Sequence, residues 1–272
     1  MSQAERWQLG GNAPEVYETQ LVPAIFGPWA PVLVSQAALR AGERALDVAC
    51  GTGAVTRLVA PQVGPTGHVV GLDLNPGMLA RARGLPPPGG ATVDWREGDA
   101  GALPFDRSSF DAVFCQLGFQ YFPDRQQAAR EMHRVLKPTG RLVTLVWRAL
   151  AHSPGFAALA TALELNVSPA AAAVMRAPFV FGDRTDDLRD LLTRAGFRTV
   201  RVGADVRMVR FASPAAFVRY QVAGSPLATH VAQVDDAVRE ALIREVTEAM
   251  QSYLNDDGLA FPIEGQIAVA QP

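Results

Sequence analysis

The stretch that decides the fold is Leu46-Asp47-Val48-Ala49-Cys50-Gly51-Thr52-Gly53. It begins inside a short apolar run, residues 44–48, that reads as a buried strand running straight into glycines. Residues 53–63 then read as a helix. Gly51 and Gly53 let a ligand approach the backbone where a Cβ would block it. A helix that starts near Gly53 presents unpaired N–H groups to the same place. On these residues alone two readings stand side by side: a ligand cradle, and a tight strand-to-helix turn that binds nothing.

Outward from this stretch, strand and helix signals alternate. Residues 68–74 form a second apolar strand. Residues 76–84 have helical spacing through Met78, Leu79 and Ala82. A third strand is expected at 91–97 and a fourth at 110–115. Residues 125–136 read as an amphipathic helix with Ala128, Met132, Val135 and Leu136 on one side. Pro138-Thr139-Gly140 marks a turn before a fifth strand at 141–147. Later come a helix at 186–197, a strand at 198–211 and a last strand at 261–270. Strands spaced by helices imply βαβ units and a parallel sheet with right-handed crossovers. In such sheets ligands sit beyond the carboxyl ends of the strands, at the switch point. The loops that follow the strands are therefore where chemistry is expected.

Two of those loops are acidic. Asp73 ends the second strand, 20 residues after Gly53, an offset at which a carboxylate can accept both hydroxyls of a ribose. Its other reading is a helix N-cap. Asn75, followed by Pro76 at a first helical position, can take the cap and leave Asp73 for a ligand. The third loop, Glu97-Gly98-Asp99-Ala100, offers a carboxylate for an adenine amino group and a backbone N–H for a ring nitrogen, or is simply a solvated turn.

Together these pieces resemble the class I S-adenosylmethionine-dependent methyltransferases. The resemblance rests on residues 46–53, on Val70-Gly71-Leu72-Asp73-Leu74-Asn75 with Met78-Leu79, on Glu97-Gly98-Asp99-Ala100 with Leu103-Pro104-Phe105, on Phe110-Asp111-Ala112-Val113, and on residues 134–142. Within the class it is most similar to the broad group that includes the ubiquinone/menaquinone-type and sterol-type methyltransferases. Thr139 departs from the pattern, which often has a second glycine there, but Gly140 keeps the turn. The resemblance implies a Rossmann-like α/β fold, with a seven-stranded, mostly parallel sheet and helices on both faces. It implies S-adenosylmethionine as cofactor and S-adenosylhomocysteine as product. By the same resemblance Asp47, Ala49, Cys50, Gly51 and Gly53 surround the methionine end, with Gln116 and Leu117 beside it. Asp73 holds the ribose, Leu74 and Met78 pack near the adenine, and Gly98, Asp99 and Ala100 read its edge.

A nicotinamide-dependent oxidoreductase also uses a glycine loop and a distant acid. Its third glycine is missing here, because Thr56 stands in that place. Asp47 before the glycines would also repel a pyrophosphate. A further alternative is a protein that keeps the fold and the cofactor without methylating, since fold does not fix function.

On the acceptor side, a small-molecule pocket is expected from Tyr17, in a helical segment at 14–26, from Phe119, Gln120 and Tyr121 past the fourth strand, and from Tyr220 in a late helix. His152 and Tyr17 are the candidates for a general base; the catalytic residue itself is unknown from sequence. Cys50 and Cys115 both follow strand ends and read as small packing residues. Two cysteines make no disulfide framework and fit a reducing, cytoplasmic setting. The four histidines are scattered without ligand spacing, so no metal is expected.

The chain has 272 residues and a formal net charge of −2, with 49% hydrophobic and 19% charged residues. That balance argues against disorder, and its even charge argues against a nucleic-acid partner. No apolar run approaches the roughly 18 residues of a membrane span, and residues 1–6 lack a signal-peptide core. At roughly 150 residues per domain, the length is awkward for one domain or two. Assigning the sheet-and-helix core to 37–148, 184–211 and 260–270 leaves three pieces, 1–36, 149–183 and 212–259. These are expected to form a helical cap over one site within a single domain, 1–272.

Overall fold

The computed structural model describes residues 12–232 and 234–272, so residues 1–11 of the expected first cap piece lie outside the described residues. Helix α1 (Ala13–Val16) runs on into a π-helical stretch, Tyr17–Phe26, and α2 (Ala30–Ala37) follows. Then come β1 (Arg44–Val48), α3 (Ala54–Val63), β2 (His68–Asp73), α4 (Pro76–Gly84), β3 (Thr92–Glu97), β4 (Phe110–Gln116), α5 (Arg125–Val135) and β5 (Leu136–Trp147). Helices α6 (Pro154–Asn166) and α7 (Pro169–Arg176) precede α8 (Thr185–Arg194) and β6 (Thr199–Phe211). The rest comprises α9 (Pro214–Ala223), α10 (Leu227–Val231), α11 (Asp236–Ala249), the two-residue β7 (Leu254–Asn255) and β8 (Gly258–Gln271).

The strands form one sheet in the order β3-β2-β1-β4-β5-β8-β6, with β7 paired to β8. β3 through β5 are parallel; β8 runs antiparallel to both β5 and β6. This is the mostly parallel Rossmann-like sheet that the alternation of apolar runs predicts. Helices cover both faces, which is why β1 and β2 read as nearly continuous apolar runs instead of alternating ones. On one face Val70, Leu142, Met132, Leu188 and Leu192 pack together under α5 and α8. On the other, Leu33 of α2 and Val59 of α3 share a core with Val143 of the sheet. That core continues without a break into Phe156, Leu163, Met175, Phe217 and Val246 of the later helices.

Chain order reverses between β1 and β4, which pair directly through Ala45↔Ala112 and Leu46↔Val113. The switch point therefore lies beyond Val48 and Gln116. Three details differ from expectation. Gly53 precedes α3 as its N-cap, with φ of +91°, and is not a helical residue. The Pro138-Thr139-Gly140 turn lies inside a longer β5: Phe110 pairs with Leu136 but Ala112 with Arg141, so residues 137–140 loop out as a bulge. The segment expected as an ordinary helix at 14–26 is wound as a π-helix from Tyr17 on, with Pro23 inside it. Proline has no N–H to give a helical ladder, so the regular winding cannot simply continue through it.

Candidate active site

A cavity of about 250 Å³ opens at the switch point. Its floor is backbone: Ala49 and Gly51 after β1, Asp73 to Asn75 after β2, Gly98 to Ala100 after β3, and Gln116 to Gly118 after β4. Two of these turns use left-handed backbone, at three residues. Ala49, Gly51 and Leu117 have φ of 57°, 56° and 65°. The sharp bends let consecutive backbone groups face one point, and for Ala49 and Leu117 they store strain of the kind found at functional sites.

Asp73 sits at the centre of the floor. Its Oδ2 accepts a hydrogen bond from Gly51 N at 2.7 Å, and its Oδ1 accepts one from Asn75 N at 2.8 Å. Burial raises its pKa, while backbone donors from Asn75, Gly51 and Leu74 pull it down. Asn75 takes the helix cap: its Oδ1 accepts from Gly77 N at 2.8 Å and Met78 N at 3.2 Å. Of the two roles open in the sequence, capping thus falls to Asn75, and Asp73 lines the cavity. Met78 packs beneath, while Leu74 is among the exposed apolar residues although it lines the rim. Asp99 is exposed and lines the cavity; its Oδ1 accepts from Gly101 N at 2.8 Å.

Several expected site residues lie elsewhere. Asp47 does not line the cavity. It is 2% exposed, and its Oδ2 accepts from Thr56 N at 3.0 Å and Thr56 Oγ1 at 2.6 Å, so it holds the first turn of α3. Burial pushes its carboxyl up to about 7. Gly53 is also away from the ligand space. An added Cβ would stand 2.3 Å from Cη2 of Trp95, so Gly53 is required by the indole above it and by its φ. Cys50 turns its sulfur towards Gly71, and burial raises its thiol pKa. Cys115 packs under Gly118, with its thiol pushed up to about 12 by burial; both cysteines are free thiols.

Of the acceptor-side candidates, Tyr17 and Tyr121 line the cavity. Burial raises the pKa of both phenols, so both are neutral. Phe119 is fully buried, edge-on to Phe122, and Phe122 reaches the cavity in its place. Gln120 turns its Nε2 to the carbonyl of Pro178. Tyr220 packs near Phe211 and is off the cavity. Its neighbour Gln221 faces in instead, since one residue along a helix turns about 100°. His152 stands outside, with Nδ1 3.3 Å from Glu264 Oε2, an oxygen that also takes Arg148 Nη1 at 2.5 Å.

The remaining wall comes from the helices that follow β5 and β6. Phe156, Met175, Pro178 and Phe179 stand on one side, and Gln221, Ser225 and Leu227 on another. The amino-terminal segment closes the top with Tyr17, Leu21 and Phe26. Gln116 Nε2 donates to the carbonyl of Phe26 at 3.0 Å and ties that segment to β4. Tyr17 and Gln116 apart, sequence reasoning did not single out these wall residues, because apolar side chains in a cap look like core. Gln221 did carry a signal: it is a polar residue on the buried stripe of α9 with Phe217 and Val218.

A sheet of this order, with a bent glycine loop at its switch point and a carboxylate closing its second strand, defines an S-adenosylmethionine-binding class of α/β protein. Residues 46–144 match the family model described as Methyltransferase domain. An uncharacterized protein of Mycobacterium tuberculosis is 31% identical over 256 residues, 92% of this chain and 87% of that one. The chain spans about half the length of other curated relatives. It matches 49% of a second uncharacterized M. tuberculosis protein, at 37% identity over 143 residues and 53% of this chain. It matches 48% of the Hahella chejuensis ubiquinone/menaquinone biosynthesis C-methyltransferase UbiE, at 40% identity over 119 residues and 43% of this chain. Among solved structures, Haemonchus contortus phosphoethanolamine N-methyltransferase 2, in complex with phosphomonomethylethanolamine and S-adenosylhomocysteine, aligns with a TM-score of 0.59. At 18% identity, covering 95% of this chain and 57% of that one, this is a likeness of fold. The chain belongs to the class I S-adenosylmethionine-dependent methyltransferases.

Proposed function

We propose that this chain transfers a methyl group to a small organic molecule by in-line displacement and releases S-adenosylhomocysteine. When bound, S-adenosylmethionine supplies an electrophilic methyl group on a sulfonium. The observation that carries the reading is the Asp73 carboxylate, which lines the cavity and is fixed there by backbone N–H groups, Gly51 on Oδ2 and Asn75 on Oδ1. Two such acceptors on one rigid carboxylate suit the adjacent hydroxyls of a ribose. Asp99 and the N–H of Ala100 are assigned to the adenine edge, and Met78 to its face. Gly51, Gln116 and Leu117 are assigned to the methionine end. Asp47 acts through α3, as a positioning residue for the loop, and is not itself a ligand.

Among the described residues, no His, Lys or Arg lines the cavity. Tyr17 and Tyr121 are held as neutral phenols, which donate hydrogen bonds. Rate then comes chiefly from orientation, with the acceptor held in line by the apolar wall and water kept out. The three pieces outside the sheet-and-helix core work as one cover within a single domain. Calorimetry tests the cofactor half of this reading: S-adenosylhomocysteine should bind in the micromolar range and NAD should not. Binding of NAD in its place overturns it. Incubation with methyl-labelled S-adenosylmethionine and cell metabolites should yield a labelled small molecule. A chain that binds the cofactor and labels nothing is a binding protein instead.

A further inference from the structure

Two amides on the cavity lining carry a buried oxygen without a hydrogen bond: Gln116, assigned to the methionine end, with its Nε2 tied to Phe26, and Gln221 on the acceptor side. Gln221 is 6% exposed, lines the cavity among apolar side chains, and its Oε1 makes no hydrogen bond. A buried amide oxygen without a partner costs about 1–3 kcal/mol. Phe217, one helical turn back on the same buried stripe of α9, is fully buried in the apolar core, so an apolar side chain at 221 would be the cheaper choice for packing alone. Four residues on, Ser225 lines the same wall; its Oγ accepts from Leu227 N at 3.3 Å, which leaves the hydroxyl to donate. The surrounding wall is Phe156, Met175, Phe179 and Leu227. Among the described residues, the acidic ones along the cavity are Asp73 and Asp99, which belong to the nucleoside floor.

Resting on the methyl-transfer reading above, we infer that Gln221 is a specificity-determining residue: it recognises the single hydrogen-bonding group of an uncharged, mainly apolar ring compound, the methyl acceptor. Three features converge on this class. The aromatic and aliphatic wall rewards an apolar body. Among the described residues no cation lines the cavity, so a carboxylate or phosphate of the acceptor finds no partner there, at high desolvation cost. The side-chain amide offers both an acceptor and donors, so it pairs with a hydroxyl, a carbonyl or a ring N–H. An acceptor lacking that group leaves the amide unpaired, and this penalty is the source of selectivity.

The test uses three probes of one shape: naphthalene, 1-naphthol and 1-naphthoate. Each is titrated by equilibrium dialysis into the full chain saturated with S-adenosylhomocysteine. 1-Naphthol should bind about ten-fold tighter than naphthalene, and 1-naphthoate at least ten-fold more weakly than 1-naphthol. In Gln221→Met, of nearly the same shape, the naphthol preference over naphthalene should fall to about one, with S-adenosylhomocysteine affinity unchanged. Gln221→Asn, one carbon shorter, should lower the preference without abolishing naphthalene binding. If both variants fail to fold, the order of the three probes on the unaltered chain decides. A naphthol preference that survives Gln221→Met, a preference for 1-naphthoate, or no binding of any probe beside bound S-adenosylhomocysteine overturns the inference. Failure of S-adenosylhomocysteine itself to bind overturns the methyl-transfer reading instead, so the two are told apart.

Discussion

At Gly53 two constraints coincide: φ of +91° and an indole where a Cβ would be. Gly53→Ala should therefore cost about 2–4 kcal/mol, the sum of backbone strain and overpacking. Trp95→Leu in the same chain should return part of it, as read by urea unfolding of the single and double variants. No recovery would mean that φ alone is responsible. Asp47 makes a different prediction, because its carboxyl is raised by burial to about 7 when folded, against about 3.9 in an unfolded chain. A group shifted upward on folding gives stability that is complete below the unfolded pKa and lost as pH rises through the folded one. Stability attributable to Asp47 should thus decline between about pH 4 and 7. Asp47→Asn keeps the shape and removes the titration, so its unfolding midpoint should vary less over that range; equal slopes in both proteins would count against the assignment. Asp73→Ala should weaken S-adenosylhomocysteine binding by about ten- to a hundred-fold, the value of hydrogen bonds to a charged group, measured by calorimetry.

At the level of elements, the amino-terminal segment shows why winding matters. Tyr17, Leu21 and Phe26 all face the cavity, and the rings of Tyr17 and Phe26 stack at 4.9 Å between centroids. Nine residues of α-helix make two and a half turns and would put positions 17 and 26 on opposite faces. The wider π-helix, at about 4.4 residues per turn, returns them to one face after two turns. A periodicity search tuned to 3.6 sees the helix here but misassigns its inward face. That segment meets α9 at Gly224, where an added Cβ would stand 2.7 Å from Cδ1 of buried Leu21. Gly224→Ala should cost about 1–3 kcal/mol by overpacking. Leu21→Ala in the same chain should reverse part of the loss, a coupling that a double-mutant cycle in thermal unfolding measures directly. Additive losses would show that the two elements do not press on each other there.

Across the molecule, legibility follows the kind of constraint. The five parallel strands and Asp73 are readable because each turns on local chemistry: apolar runs between glycines, and an acid at a fixed offset. Gly53 and Gln120 depart from expectation because their surroundings are set by residues far away in sequence, Trp95 and Pro178, whereas Asp47 and Phe119 turn to near neighbours, Thr56 and Phe122, that a strand-end pattern does not weigh. The same division separates a floor built on strand ends from the proposed cover of three distant helical pieces. The described part of the amino-terminal piece has few polar ties to the core: Gln116 to the carbonyl of Phe26, and Arg81 Nε to Glu15 Oε2 at 2.7 Å. The latter is a partly exposed pair, worth at most about 1 kcal/mol. A segment held by apolar contact and so little else opens at lower cost than the sheet beneath it. A ligand that fills the cavity adds contacts to Tyr17, Leu21 and Leu227 and so favours the closed cover by mass action. Amide hydrogen exchange with and without saturating S-adenosylhomocysteine should then show slowing by about ten-fold or more in peptides spanning 17–27 and 221–228. Amides of β8 and β6, at the far edge of the sheet, should slow much less. Uniform slowing over the whole chain would mean that ligand and sheet share one opening reaction, and the separate cover would have to be given up.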